Sequence, residues 1–433
     1  MARPNPRFCG TSDHAISRRL FLGSTSAMAA GVAGVNVLGE SALGKELQSQ
    51  NKRVILLWLA GGASQLETFD PKPGRPTGGP FRAIPTSVPG VHISELMPKM
   101  AQRFNKHTAI IRSLNTRIGD HGGGAKLMMR GRLDEPNLPY PDMGAIIARE
   151  LGHAESPVPD YVSIYSETEG RSFAPGASGF LGARYNSINL TTSMIPENIR
   201  KLNGITAEDH QQRAALRNLI SNRFSQGRDN PVLGSHNQAY SRVAGLMGSE
   251  KLFDVTQESM TTRTKYGPTQ FGEQALIARR LVEAGVPFVR LGRAWWDSHG
   301  QNFETHLELV SELDHVMCAL LDDLEERGLL DHTLVVTLSE FGRTPGINSS
   351  LGRDHFANAW SCSLSGCGIK GGACYGKTDA DGQNVAEGKV GAGELLATIF
   401  QAVGVNPRKE YHVGARPIPL TDPGTEAVKE VLA

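Results

Sequence analysis

The sequence predicts an α/β fold with a mostly parallel central sheet and helices on both faces. The first observation is a set of short apolar runs, each typical of a strand that is buried on both sides. The runs are residues 53–60 (RVILLWLA), 108–112 (TAIIR), 160–165 (DYVSIY), 287–292 (PFVRLG) and 333–339 (TLVVTLS). The second observation is that stretches with helical spacing lie between these runs, an order that builds a parallel sheet.

Two helical stretches stand out, at residues 270–284 and 305–327. The longer one is predicted to place six apolar residues on one face: Leu307, Val310, Leu313, Val316, Met317 and Leu320. Residues 166–260 are rich in Ser, Asn, Arg and Gln, so we expect a polar insertion or cap over the sheet edge. From Glu410 onward we expect a loop and a short terminal helix. Residues 45–433 are therefore predicted to form one α/β domain.

The N-terminus has the order of features that defines an export signal. Residues 17–22 read SRRLFL, a twin-arginine motif, and a stretch rich in Ala, Gly, Val and Ser follows it. That stretch is too short and too rich in glycine to form a stable transmembrane span. We predict a signal peptide at residues 1–44, recognition by the twin-arginine export machinery and a periplasmic or exported protein. The alternative is an ordinary N-terminal helix with two surface arginines.

Charge argues against two classes of partner. The formal net charge is +1 over 433 residues. The chain therefore has no global basic field for nucleic acid and no polybasic surface for a membrane. The sequence does not predict an oligomeric state.

The cysteines are few and mostly late in the chain. Cys9 lies in the predicted signal, and Cys318 lies in an apolar helical stretch that is typical of a buried small residue. Cys362, Cys367 and Cys374 cluster, and their spacing leaves a disulfide and free thiols equally open. No C-x-x-C pair is present, which argues against a zinc site made of cysteines.

A glycine-rich run matches the sequence pattern of a nucleotide-binding loop. Residues 371–378 (GGACYGKT) match the phosphate-loop pattern G-x-x-x-x-G-K-[ST]. A working phosphate loop follows a buried strand and opens a helix. Here residues 379–384 (DADGQN) read as a turn, and no apolar helical pattern follows. We therefore predict tight turns that need positive φ.

Candidate site residues follow two of the predicted strands. In open parallel sheets, ligands bind beyond the carboxyl ends of the strands. Asp297 and His299 come after the strand at 287–292, and Glu340 and Arg343 come after the strand at 333–339. Carboxylate and imidazole are common ligands of zinc, manganese or iron, whereas arginine can hold an anionic group through two hydrogen bonds. The alternatives are a capped surface loop and a structural Glu–Arg ion pair.

Two further loops add candidates. Residues 352–356 (GRDHF) contain Arg353, Asp354 and His355 in a turn, and Asp–His pairs serve as metal ligands or as acid–base groups. His121 precedes three glycines and a helical stretch, where it could be a ligand or a catalytic group, and the glycines could bring backbone amides near an oxyanion. The alternative for this second loop is a flexible turn. The chain lacks the G-x-S-x-G and H-E-x-x-H signatures of serine hydrolases and zinc proteases.

Several segments together resemble the bacterial domain-of-unknown-function family 1501. They are LAGGASQLETFDPKPG, VEAGVPFVRLGRAWWDSHGQNF, LLDDLEERGLLDHTLVVTLSEFGRTP, GRDHFANAW and GCGIKGGACYGKTD. That family is grouped with the alkaline phosphatase and sulfatase superfamily. The resemblance implies a fold of that type, with a metal site at the carboxyl edge of the sheet, and it makes the glycine-rich run a recurrent family segment.

The resemblance also implies roles for individual residues, and at some positions this chain departs from the superfamily pattern. The segment VVTLSEFGRT resembles the superfamily strand that ends in T-x-D-H-G, with Glu340 at the Asp position and Phe341 at the His position. Asp297 and His299 resemble the preceding ligand loop, and His355 resembles the late His ligand. A two-zinc site like that of alkaline phosphatase is therefore not implied.

The remaining departures lie early in the chain. Residues 121–131 (HGGGAKLMMRG) resemble the sulfatase nucleophile segment C-x-P-S-R-A-A-L-L-T-G, with His121 at the nucleophile position. An ordinary formylglycine sulfatase is therefore not implied. Gly61 and Gly62 stand where the superfamily has the metal-binding Asp of the first strand.

Two functions are expected from these residues. The first is an exported hydrolase of phosphate or sulfate esters that uses a divalent metal (zinc, manganese or calcium). The metal candidates are Asp297, His299, Glu340, Asp354 and His355. The catalytic candidates are His121 as nucleophile or acid–base group, and Arg343 or Arg353 as stabilisers of an anionic ester. The second is a catalytically silent relative that acts as a binding or assembly component.

Overall fold

A computed structural model describes residues 52–153, 156, 158–165, 176–190, 204–227 and 250–433. The predicted signal peptide lies outside the described residues, as do parts of the predicted insertion at residues 166–260. Among the described residues, no helix is both long and apolar enough to cross a bilayer.

The centre of the fold is an eight-stranded sheet with the order β12-β4-β11-β8-β1-β7-β5-β6. Short two-stranded pairs surround it: β2 with β3, β9 with β10, β13 with β14, and β15 with β16. The strands are β1 Arg53–Leu59, β2 Ala83–Pro85, β3 His92–Ser94, β4 Thr108–Leu114, β5 Tyr161–Tyr165, β6 Ile188–Leu190, β7 Phe288–Arg293, β8 Thr333–Leu338, β9 Gly342–Arg343, β10 His355–Phe356, β11 Trp360–Gly366, β12 Cys374–Tyr375, β13 Lys377–Thr378, β14 Val385–Glu387, β15 Glu410–Val413 and β16 Arg416–Pro419.

The sheet is parallel except for one strand. β1 pairs in parallel with both β7 and β8, so that Val54 lies beside Phe288 on one side and Leu334 on the other. β11 runs antiparallel to both of its neighbours, β4 and β8. The mostly parallel sheet predicted from the sequence is therefore confirmed, and each of the five predicted strands is present.

Helices cover both faces of this sheet, as predicted. They are α1 Pro98–His107, α2 His121–Arg130, α3 Met143–Leu151, α4 Ala207–Ser225, α5 Met260–Tyr266, α6 Gln270–Glu283, α7 Asn302–Glu326 and α8 Ala392–Ala402. Side chains alternate along a strand, so Ile55 and Leu57 join one apolar core and Val54 and Leu56 join the other. The first core includes residues of α1, α6 and α7, and the second includes residues of α2, α3 and α8.

The structure corrects two predictions about local elements and adds one strand. The tail from Glu410 forms the β15–β16 hairpin and ends in a short 3₁₀ turn at Lys429–Val431. Leu307 does not share the buried face of α7, since it is 52% exposed. The antiparallel strand β11 was not among the predicted strands, although its sequence WSCSLSG alternates serine with larger residues as strands often do.

The glycine-rich run does not form a phosphate loop. It contributes β12 to the edge of the sheet and then β13, which pairs with β14. Gly372 and Gly376 both adopt positive φ, as the predicted tight turns require. Among the described residues Cys318, Cys362, Cys367 and Cys374 are free thiols, which decides the question that their spacing left open.

Candidate metal centre at the carboxyl edge of the sheet

The loops that follow β1, β7 and β8 pack tightly against one another. Gly61 has φ +116°, and a Cβ at that position would lie 2.4 Å from the backbone nitrogen of Asp297. Gly62 has φ +97°, and its Cβ would lie 2.7 Å from the ring of Phe341. Glycine is needed at both positions because a side chain would be strained and would push the other two loops away. The two glycines thus bring Asp297 and Phe341 close to the end of β1.

Asp297 is at the centre of the cluster that these loops form. Its Oδ1 lies 3.1 Å from His299 Nε2 and 3.2 Å from His355 Nε2, and its Oδ2 lies 3.1 Å from His121 Nε2. Arg343 Nη2 donates to Oδ1 at 2.5 Å. Partial burial would raise the pKa of Asp297, but the hydrogen bond from His121 and the charge of Arg343 lower it far more. The carboxylate is therefore ionised.

The hydrogen bonds of His299 and His355 fix where their lone pairs point. His355 Nδ1 lies 2.7 Å from the carbonyl oxygen of Gly119, and His299 Nδ1 lies 2.7 Å from Asp354 Oδ1. Both partners only accept hydrogen bonds, so each Nδ1 carries the proton, and in the neutral ring each Nε2 carries a lone pair. The two Nε2 atoms lie 3.0 Å apart and both face Asp297 Oδ1. Three acceptor atoms thus converge on one point.

His121 has a different environment in the same cluster. It is the first residue of α2, after Asp120, whose carboxylate accepts from the backbone nitrogen of Gly123 at 2.7 Å. His121 Nδ1 lies 2.8 Å from Glu340 Oε1, and Nε2 lies against Asp297. Hydrogen bonds to Asp297 and then to Glu340 raise the pKa of His121 to about 9. His121 is therefore a cation with a carboxylate at each nitrogen.

Glu340 and Phe341 hold the histidines in place. Glu340 is fully buried, and its Oε1 also accepts from the backbone nitrogen of Gly61 at 2.9 Å. Its Oε2 has no hydrogen-bond partner among the described residues. The ring of Phe341 packs at 4.4 Å from the ring of His355 and at 5.1 Å from that of His121. At the position that resembles the His ligand of the superfamily, this chain therefore has Phe341, whose ring packs against two histidines.

The two candidate arginines are buried, and their guanidinium groups make hydrogen bonds within the protein. Arg343 donates to the carbonyl oxygens of Gly61, Gly62 and Arg353 as well as to Asp297. Arg353 donates to backbone carbonyls and to Glu67 Oε1 at 2.8 Å, and the side chains of both Arg353 and Glu67 are fully buried. These contacts make both arginines positioning residues for the loops. Neither of these two guanidinium groups faces open solvent, and their role in holding an anionic ester stays a prediction.

The structure brings most of the predicted site residues together. His121, Asp297, His299, Glu340 and His355 form one cluster, Asp354 joins it through His299, and Arg343 joins it through Asp297. His121, Asp297 and His355 offer ligand atoms that all lie within 4.8 Å of one another. Arg353 does not reach the cluster with its side chain. The catalytic and metal-binding roles of all eight residues stay predictions.

Sequence reasoning missed the residues that support this cluster. Gln65 pairs through its side-chain amide with the backbone nitrogen and oxygen of Arg343, at 3.0 and 2.8 Å. Asn348 donates to the carbonyl oxygen of His299 at 2.9 Å. His306 is fully buried and accepts from the backbone nitrogen of Ser64 at 3.0 Å, and burial lowers its pKa to about 4. The GGASQLETFD segment contains Gln65, but nothing in its local pattern indicates a partner almost three hundred residues away.

Fold and cluster together define an α/β protein with a candidate cation site at the carboxyl edge of its sheet. The chain belongs to the family described as "Protein of unknown function (DUF1501)", which matches residues 51–432. The resemblance stated from the sequence is thereby confirmed at the level of the family. A search of the curated proteins finds no match.

Solved structures of the alkaline phosphatase and sulfatase fold are similar to this chain at low identity. The PsFucS1 sulfatase from Pseudoalteromonas sp. is 13% identical with a TM-score of 0.39, over 84% of this chain and 71% of that one. A TAB5 alkaline phosphatase variant with bound magnesium is 12% identical with a TM-score of 0.35, over 82% and 98%. The lipoteichoic acid synthase LtaP from Listeria monocytogenes is 8% identical with a TM-score of 0.36, over 86% and 75%. At such scores the function has to be argued from the residues of the site.

Proposed function

We propose that this protein is an exported hydrolase of phosphate or sulfate esters that uses a divalent cation. The observation that carries the proposal is the convergence of Asp297 Oδ1, His299 Nε2 and His355 Nε2, which lie 3.0 to 3.2 Å apart. With both rings neutral and protonated on Nδ1, no proton lies between either Nε2 and Asp297 Oδ1, so these acceptors repel one another, and a cation would relieve that repulsion. Export is supported by the twin-arginine motif at residues 17–22.

The chemistry of this donor set fits zinc or manganese. Imidazole with carboxylate suits these metals, whereas calcium prefers a shell made only of oxygen. His299 and His355 each donate the other ring N–H to a carboxylate or a carbonyl, an arrangement that orients metal-binding histidines and raises their basicity. Asp297, His299 and His355 would therefore hold the ion. Asp354 would support it through His299.

A bound divalent cation would polarise an ester oxygen or lower the pKa of a water molecule. His121 would act beside it as a proton donor, since both of its nitrogens face carboxylates and its pKa is raised to about 9. Glu340 Oε1 holds the proton on Nδ1, and the Nε2 proton, which is shared with Asp297 Oδ2 at 3.1 Å, would be the one passed to a leaving oxygen. A histidine protonated in this way cannot attack as a nucleophile, so of the two predicted roles we favour acid–base catalysis.

The charges of the site suit an anionic ester. A divalent cation, protonated His121 and Arg343 together outweigh the two negative charges of Asp297 and Glu340. An anionic group would therefore be attracted to the open side of the cluster, where His299 is 49% exposed. The ester class is supported by the sequence segments that resemble the alkaline phosphatase and sulfatase superfamily.

The first experiment is elemental analysis of the protein purified through its own export route. We expect about one equivalent of zinc or manganese in the wild type and a clear loss in Asp297→Ala. Asp331→Ala is the matched control, because Asp331 is exposed beside the amino end of β8, at the opposite edge of the sheet. Absence of metal from the wild type after incubation with zinc, manganese and calcium would refute the proposal. Metal-loaded protein would then be assayed on aryl phosphate and aryl sulfate esters.

One observation favours the second candidate, a silent binding or assembly component. Arg343 Nη2 lies 2.5 Å from Asp297 Oδ1, so a cation bound to that oxygen would lie close to a fixed positive charge. A protein that binds the metal but hydrolyses neither ester class, and whose Arg343→Gln variant binds the metal more tightly, would support this second function.

A further inference from the structure

Two large apolar side chains at the surface lie on strained backbone in the loops of the candidate metal centre. Trp295, in the loop after β7, has φ +75° and is 58% exposed, and Leu351, in the loop between β9 and β10, has φ +55° and is also 58% exposed. A positive φ is costly for a bulky side chain, whereas glycine adopts it readily. Among the described residues, no other exposed large apolar side chain has a positive φ.

Both residues adjoin the converging acceptors of the cluster. Trp295 lies two residues before Asp297, so the Cα atoms of the two residues are within about 8 Å of each other. Leu351 precedes Gly352, where a Cβ would collide with the backbone carbonyl of His299. The side chain of His299 is 49% exposed, compared with 19% for Asp297. A ligand that enters from solvent therefore meets the cluster near these two apolar side chains.

The fold itself does not require an indole at position 295. The strained turn buries Trp296, whose ring packs 5.4 Å from that of His306, and it brings Asp297 against Gly61. A glycine at position 295 would allow the same turn at lower cost. The indole of Trp295 belongs to none of the apolar cores of the described residues. Strain that the fold does not need is typical of a site that contacts a ligand.

We propose that Trp295 and Leu351 form an apolar rim that holds a ring in the organic part of the substrate while the ester group lies at the cation. The inference rests on the proposed ester hydrolase and adds the class of ester. An indole offers a flat face on which an aromatic or a pyranose ring can stack. Esters of short open chains cannot use this face. The rim residues thus select esters of ring compounds.

Steady-state kinetics of the zinc-loaded protein test the rim, with whichever ester class, phosphate or sulfate, the wild type hydrolyses. Trp295→Ala should raise KM for the phenyl ester about tenfold and leave KM for the methyl ester unchanged. The rim contacts the substrate away from the reacting bond, so kcat should stay within about twofold. The glucose 6-ester is the second arm, and the ring whose KM depends on Trp295 is the ring that the rim holds. Unchanged KM values for both ring esters would overturn the proposal.

Further variants separate the contact from the strain. Trp295→Gly should also lose the preference for the ring, but its unfolding temperature should be equal to or above that of the wild type, because glycine adopts the positive φ. Trp295→Phe should keep most of the preference. Leu133→Ala is the matched control, because Leu133 is 52% exposed and follows the far end of α2, about 15 Å along that helix from His121. A Trp295→Gly variant that keeps the low KM of the wild type would refute the role of the indole.

Tryptophan fluorescence provides a readout that does not need turnover. The chain has four tryptophans, and Trp58, Trp296 and Trp360 are buried, so acrylamide should quench mainly Trp295. Phenylphosphonate, which is not hydrolysed, should protect zinc-loaded protein from this quenching, whereas methylphosphonate should not. Protein that binds zinc but shows no such protection would overturn the rim and leave the hydrolase standing. Protein that binds no zinc would refute the hydrolase itself, and the rim with it.

Discussion

Two clusters of charged side chains in this protein look alike in composition and differ in hydrogen bonding. One surrounds Arg279 between α6 and α7, and the other surrounds Asp297 at the edge of the sheet. Arg279 is fully buried, and its three nitrogens lie 2.6 to 2.9 Å from Glu258, Glu283 and Asp323. There each of the three carboxylates is paired with a guanidinium. Around Asp297, by contrast, two imidazole lone pairs and a carboxylate oxygen face one another.

This difference separates a structural network from a binding site. Burial would lower the pKa of Arg279, but the hydrogen bond of Glu258 and the charge of Asp323 raise it overall, so the network stabilises its own charges. In the Asp297 cluster Arg343 donates to Oδ1, but with neutral rings no donor among the described residues lies between Oδ1 and the Nε2 atoms of His299 and His355. A local excess of acceptors is typical of a site that can hold a cation.

Arg279→Met should cause the largest loss of stability. The substitution keeps the apolar stem and leaves Glu258 and Asp323 with less compensation, which typically costs about 3–5 kcal/mol in the free energy of unfolding. Denaturant unfolding measures this loss. Arg408→Met is the control, because Arg408 is 80% exposed and should change stability by less than about 0.5 kcal/mol. Asp297→Asn in metal-free protein should cost less stability than Arg279→Met, because Asp297 is only partly buried although it pairs with Arg343 and His121. A loss as large as that of Arg279→Met would contradict the contrast.

His355→Gln should cause the largest loss of metal affinity. It removes Nε2 from the three converging acceptors while a side-chain amide can still reach the carbonyl oxygen of Gly119. Loss of a supporting residue typically costs 10–100-fold in affinity, so loss of a ligand should cost about 100-fold or more for zinc. Calorimetric titration with zinc measures this change.

His332→Gln is the matched control, because His332 is exposed at the amino end of β8. Equal affinities of the two variants would place the ion elsewhere. Zinc should also raise the unfolding temperature of the wild type and of His332→Gln, and raise it less for His355→Gln.

Much of the fold could be predicted because its signals are local. The apolar run of β1 has no polar residue between Val54 and Leu59, and such a run has few alternatives to a buried strand. β11 was missed because it owes its place to pairing with β4 and β8, strands distant in sequence, and not to its own composition. Pairing of that kind cannot be inferred from a seven-residue pattern.

The candidate site likewise has residues that could be predicted from the sequence and features that could not. Asp297, His299 and Glu340 could be found because residues after parallel strands meet at one edge of the sheet. The burial of Arg343 could not be predicted, because it depends on how closely the Gly61–Gly62 turn approaches the loops after β7 and β8. The lone pairs of His299 and His355 also depend on distant partners, Asp354 and Gly119.

The structural network should lose stability in acid. Partial burial raises the pKa of Asp323, but the hydrogen bond from Arg327 and the charge of Arg279 lower it below the unfolded value. Burial likewise raises the pKa of Glu258, and its bonds with Arg279 and Arg280 lower it overall. Groups with a depressed pKa stabilise the fold above their unfolded pKa of about 4, and this contribution is lost as the pH falls through the lower, folded value.

Unfolding measured from about pH 6 down to about pH 3 tests this direction. Asp323→Asn should reduce the slope of the unfolding free energy against pH, because the unfolded state then takes up one proton fewer. Asp331→Asn, an exposed control, should keep the slope of the wild type. A slope unchanged in Asp323→Asn would show that other carboxylates dominate acid unfolding.

Asp354→Asn should have the smallest effect and isolates the support of the site from its ligands. Asp354 Oδ1 accepts from His299 Nδ1 at 2.7 Å, and this bond lowers the pKa of Asp354. An amide oxygen can still accept that bond, but it stabilises the ring less, so zinc affinity should fall about tenfold. The zinc affinity of Asp354→Ala should fall further, because the His299 ring is then free to turn. If Asp354→Asn and Asp354→Ala both keep the zinc affinity of the wild type while His299→Gln loses affinity, then His299 binds the ion without the support of Asp354. If all three variants keep the zinc affinity of the wild type, the ion is held by Asp297, His121 and His355 alone. His299 would then lie beside the ion without binding it.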